Sequence, residues 1–97
     1  MDDLSKELQD FLVKLSYHPE TVDSEHKHFT KHIMLLLPAK EKDTLLRYFG
    51  LFGYKREALI NLACEQNTTE EALMEQIDGS LRKLAITPEW QMMKGWV

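Results

Sequence analysis

Apolar residues recur along this chain at spacings of three and four, the repeat of an amphipathic helix, and nowhere alternate in the period of two that marks a strand. Leu4, Leu8, Phe11, Leu12 and Leu15 form the first stripe. Asp2 and Asp3 stand ahead of it, placed to cap and complement the positive end of a helix over about residues 3–16. Tyr17-His18-Pro19 interrupts the pattern, because a residue before proline is pushed out of helical geometry. Asp23 or Ser24 then caps a second helix whose inward positions are Phe29, Ile33, Leu36 and Leu37, and Pro38 ends it. Pro38 also suits the first turn of a third helix. That helix sets Leu45, Leu46, Tyr48 and Phe49 on one side and Lys40, Lys42 and Arg47 largely on the other, and Gly50 closes it.

A fourth helix over about residues 55–65 carries Leu59, Leu62 and Ala63, and Asn67 suits the left-handed residue that follows a helix. Thr69 caps a fifth, where Leu73, Ile77, Leu81 and Leu84 make a stripe reaching to about Ala85. Gly79 weakens its middle by ~1 kcal/mol relative to alanine. Ile86-Thr87-Pro88 closes that helix, and Pro88 to Met93 suits one last short helix with Trp90 and Trp96 as apolar anchors. The pattern therefore predicts an all-α bundle of five to six helices with a core of Leu45, Leu46, Phe49, Leu59, Leu62, Leu73, Ile77, Leu81 and Leu84. The fourth and fifth helices, joined by a tight turn, have the size of a helix-turn-helix, with Ala63 as the small residue that lets them cross.

Length changes this picture little: 97 residues make one small fold, here an N-terminal helical pair over 1–35 packed on a main unit of 36–97. Charge changes it more. The net charge of −4 hides a mid-chain segment, residues 38–57, with five basic and three acidic side chains, followed by residues 58–84 with two and five. An acidic total argues against long-range steering onto nucleic acid. The longest apolar run, Ile33 to Leu37, is far short of the ~20 residues a spanning helix needs, and Met1-Asp2-Asp3 lacks a basic leader, so a cytoplasmic chain is expected. A single cysteine, Cys64, leaves no disulfide framework and is expected to be a reduced, partly buried apolar residue. His28 and His32 share a helix face, yet no nearby cysteine supplies a third ligand, and they read as a solvated, weakly basic face beside His18 and His26. No nucleophile elbow or glycine-rich phosphate loop is present, so neither an enzyme nor a cofactor or metal site is expected.

One stretch is more specific. Leu37-Pro38, the charged run 40–43, Leu45-Leu46-Arg47-Tyr48-Phe49-Gly50-Leu51, then Glu57-Ala58-Leu59, Thr68-Thr69-Glu70-Glu71 and Leu81-Arg82-Lys83-Leu84 resemble region four of housekeeping-type bacterial RNA polymerase sigma factors over about residues 36–85. The resemblance implies a helical module that grips the flap of the polymerase β subunit and reads promoter DNA with its last helix. It places the flap contact on Leu45, Leu46, Tyr48, Phe49, Leu51 and Phe52. For DNA it places phosphate contacts at Lys55, Arg56, Arg82 and Lys83, and the positions nearest bases at Thr68, Thr69, Glu71, Ala72 and Glu75. Where the family carries arginine and glutamine along the reading helix, this chain has Glu70, Glu71, Met74, Glu75 and Gln76. Carboxylates near phosphates repel and release no counterions, so this helix disfavours promoter DNA. In the turn, Gln66 stands where leucine is usual and Asn67 where glycine is usual. Two functions follow: a transcription module bound to polymerase and promoter DNA, or an interaction or regulatory domain that keeps the region-four fold without DNA binding.

Overall fold

The computed structural model describes residues 3–95; Asp2 and Trp96, given capping and anchoring roles above, lie outside the described residues. The fold is all-α, with helices α1 (Asp3–Tyr17), α2 (Ser24–Met34), α3 (Ala39–Phe49), α4 (Leu59–Glu65), α5 (Glu70–Ala85) and α6 (Pro88–Lys94). A short 3-10 turn, Pro19–Thr21, joins α1 to α2. Among the described residues no helix is long and apolar enough to cross a membrane.

Capping follows the sequence closely. The Asp23 side chain accepts the His26 N–H, Thr69 accepts that of Ala72, and Thr87 accepts that of Trp90. Each satisfies one of the donors that a helix start leaves without an intrahelical partner. Gly50 ends α3 at φ 68°, and a Cβ there would sit 3.0 Å from the Arg56 Cβ, so both its conformation and its space call for glycine. Asn67 adopts the left-handed conformation, φ 54°, between α4 and α5.

α5 is the central element, packed by α1, α3, α4 and α6. Leu73, Ile77, Leu81 and Leu84 are buried along it, and Leu8, Phe11, Leu12 and Leu15 of α1 belong to the same core as Leu45, Leu46 and Phe49 of α3. Residues 1–35 and 36–97 thus share one hydrophobic interior. Of the nine expected core residues, Leu59 alone is only half-buried.

Three local differences have physical causes. α4 starts four residues later than the apolar pattern suggests, because residues 55–58 form a non-helical segment held to α3 by Glu57 N–H donating to the Arg47 carbonyl at 2.9 Å. In the second helix Thr30 and Met34 are buried, whereas Leu36 is 53% exposed; α2 stops at Met34, so the helical register lapses before Leu36. Cys64 is exposed, since the short α4 turns only Leu62 and Ala63 inward.

Arg47 differs most from its expected solvated position. Its guanidinium donates to Glu57, to Glu65 at 2.6 Å and to Asp43 at 3.2 Å, binding α3, the segment before α4 and α4 together. The Glu57 and Glu65 hydrogen bonds hold its proton more firmly than usual, and Arg47 in turn holds the Glu57 carboxyl below the ordinary glutamate range. Gln66, standing where the resemblance leads one to expect leucine, donates to the Thr44 hydroxyl at 3.0 Å and so stays satisfied between α3 and α4.

Candidate functional site

The residues assigned to DNA come from three places: the segment before α4, the start of α5 and the end of α5. Lys55 and Arg56 lie in the non-helical segment before α4, not in its first turn, and Arg56 is engaged with Tyr17: it donates to the phenol oxygen and its guanidinium carbon stands 4.4 Å from the ring centre. Thr69 uses its hydroxyl as the α5 cap, and the half-buried Thr68 donates its N–H to the Ala63 carbonyl at 3.0 Å. Glu70, Glu71 and Glu75 are exposed on the outer face of α5, and Ala72 is half-buried beside them. Arg82 and Lys83 are eleven and twelve residues beyond Glu71, about 16 and 18 Å along the helix at 1.5 Å per residue.

Lys83 is also committed within the protein. Its ammonium contacts both oxygens of Glu41 at 2.9 and 3.1 Å, and the Ser80 hydroxyl donates to the same carboxylate at 2.7 Å. The Ser80 hydrogen bond, and after it Lys83, hold the Glu41 carboxyl below its usual value of 4.5. A carboxyl depressed in the folded state stabilises the fold above the unfolded value, and that contribution is lost as pH falls through the folded value. Thermal midpoints should therefore fall on acidification below about pH 4.5. Glu41→Gln should flatten that part of the curve; parallel curves for the two proteins would show that Glu41 carries none of it.

The flap-contact residues divide in two. Leu45, Leu46, Phe49 and Leu51 are buried at 0, 7, 3 and 1% exposure, so the large apolar surface expected of them is mostly spent on the protein's own core. α1 and α5 cover it: α1 packs on both α3 and α5, and the Ser16 hydroxyl reaches the Gly50 carbonyl at 3.3 Å. Tyr48 and Phe52 remain half-buried. Tyr48 lines a cleft with Gln9 and Val13 of α1 and Leu59, Arg56 and Glu57 opposite.

Phe52 belongs to a different concavity, one that sequence reasoning did not assemble. A groove of about 350 Å³ runs between α2 and α3, floored by Met34, Leu46 and Phe52, with Leu35 at its mouth and His28, Lys31, His32 and Lys42 around it. No carboxylate lines it. His28, Lys31 and His32 share a face of α2, and Lys42 and Leu46 are one turn apart on α3. Phe52 is delivered by the turn after α3, in which Gly50, Phe52 and Gly53 all take positive φ, 68°, 51° and 87°. Positive φ costs an aromatic residue, and such strain persists only where the surroundings enforce it. The Lys31 ammonium stands 5.1 Å from the Phe52 ring centre, a cation–π distance. The sequence signal was Leu35, a leucine outside the inward stripe of Phe29, Ile33, Leu36 and Leu37, following a face of His and Lys that periodicity assigned to solvent.

Comparison with protein-family models, curated proteins and solved structures finds no significant match to this chain.

Proposed function

We propose that this chain is a sigma-region-four-like interaction module of the transcription machinery, with the RNA polymerase β-subunit flap as its partner, that works through protein contacts rather than by reading promoter DNA. The observation that carries this reading is the charge of the exposed face of α5. The helix that would enter a DNA groove presents Glu70, Glu71 and Glu75, while Lys83 is paired with Glu41 and Arg56 with Tyr17. Duplex binding draws its non-specific affinity from free cations along such a face. Protein contact depends instead on a few apolar anchors with a polar rim, which acidity elsewhere does not impair.

The polymerase partner rests on the resemblance across residues 37–51 and on the half-buried aromatics beside it, Tyr48 and Phe52. A flap-tip peptide titrated into the full-length protein should bind with micromolar affinity, and Tyr48→Ala with Phe52→Ala should weaken it about tenfold or more. Absence of binding at high micromolar peptide by a protein that is still folded would remove the polymerase as partner.

A further inference from the structure

From the groove between α2 and α3 we infer that it docks an acidic amphipathic helix: one or two large apolar side chains enter against Met34, Leu46 and Phe52, and flanking Asp or Glu residues meet Lys31 and Lys42. This specifies a partner for the interaction module proposed above and rests on that reading.

Three observations converge on that occupant. The chain as a whole carries −4, yet the groove is lined by two lysines and two histidines and by no carboxylate. A negative protein that concentrates cations around one concavity is complementary there to an anionic partner. The open apolar surface lies at Phe52, which is half-buried, and at Leu35 at the mouth, which is 64% exposed, above the buried Met34 and Leu46. Lys42 has no ion-pair partner among the described residues, and Lys31 is held over the Phe52 ring rather than by a carboxylate. Its ammonium stands at the edge of the apolar floor, where an incoming carboxylate would meet it once the anchor is seated. Groove-bound helices are recognised in this way, by anchors at successive turns with charges beside them.

Neutral or basic helices fit less well, because they would bring no counter-charge to Lys31 and Lys42 on desolvating them. A nucleic acid would be drawn to the same cations but gives the apolar floor nothing to bury.

The test uses the full chain and two fluorescein-labelled peptides of about 16 residues, long enough to form helix on binding. One carries Leu and Phe at successive helical turns with Glu at flanking positions; in the other every Glu is replaced by Lys. The acidic peptide should bind at least about tenfold more tightly than the basic one, and more weakly as salt rises from about 50 to 500 mM. Amide shift changes should centre on Lys31, Leu46 and Phe52. Lys31→Glu with Lys42→Glu, at an exposed and a half-buried position, should keep the protein folded by circular dichroism and reduce acidic-peptide affinity at least about tenfold, and Lys31→Gln with Lys42→Gln should reduce it less. Equal binding of both peptides, unchanged affinity in the doubly reversed protein, or shifts centred elsewhere would overturn the inference. Acidic-peptide binding without flap-tip binding supports the groove and removes the polymerase. Flap-tip binding without acidic-peptide binding overturns the groove and leaves the interaction module standing.

Discussion

Leu12→Ala should lower the unfolding free energy by about 2–5 kcal/mol, a large share of the ~5–15 kcal/mol that holds a small domain folded. Leu12 has no exposed surface, and it sits on the face of α1 that packs against α5, where Leu73, Ile77, Leu81 and Leu84 are also closed to solvent. Truncation there loses both the transfer free energy of the removed methyls and the contacts of a cavity that helices on all sides keep open. Leu4, on the same helix but 39% exposed, provides the comparison: Leu4→Ala should stay within about 0.5 to 1 kcal/mol. Urea unfolding followed by circular dichroism measures both. Equal losses at the two positions would mean that α1 rests on the fold without sharing its core, and that residues 1–35 could be removed without consequence.

The second large effect is at the other end of the chain. Trp90 is 2% exposed, with its ring centre 5.5 Å from that of Phe11 and the planes tilted by 51°. It joins α6 to α1, and beside it the buried Met93 sulfur meets the Thr30 hydroxyl of α2 at 3.8 Å. Trp90→Ala should cost about 3–5 kcal/mol, because a large aromatic void cannot be refilled by the short α6. Trp90→Phe should cost much less than its lost volume suggests. The Nε1 donor of Trp90 is buried with no hydrogen-bond partner among the described residues, and phenylalanine removes that unmet group. If the phenylalanine variant is as unstable as the alanine variant, the indole nitrogen is making a bond that stabilises the fold.

Helical periodicity read the bundle well because each helix buries a stripe at its own repeat, and the caps Asp23 and Thr69 were legible because each acts on a donor only three residues away. What depends on distant residues was not legible. Arg47 has the spacing of a solvated position, and only the return of residues 55–58 and the placing of α4 bring Glu57 and Glu65 to it. Leu46 and Phe49 read as core and, through the resemblance, as contact for a partner, and the stripe cannot say how much of them α1 and α5 of the same chain cover. The groove was invisible for the same reason: Lys31 and Lys42 lie on separate helices, and Phe52 reaches them through a left-handed turn that neither periodicity nor propensity predicts for phenylalanine.

The account turns on whether the exposed acidic face of α5 meets DNA. The direct measurement is affinity for a promoter duplex as a function of salt, made on the unaltered protein and on Lys55→Glu with Arg56→Glu. The account predicts that at near-physiological salt retention is no tighter than the ~10⁻⁴ M end of non-specific binding, and that the double reversal barely changes it. Submicromolar affinity that falls steeply with salt, with a slope counting several phosphates and reduced by the Lys55 and Arg56 reversal, would contradict it and make promoter DNA the partner of α5.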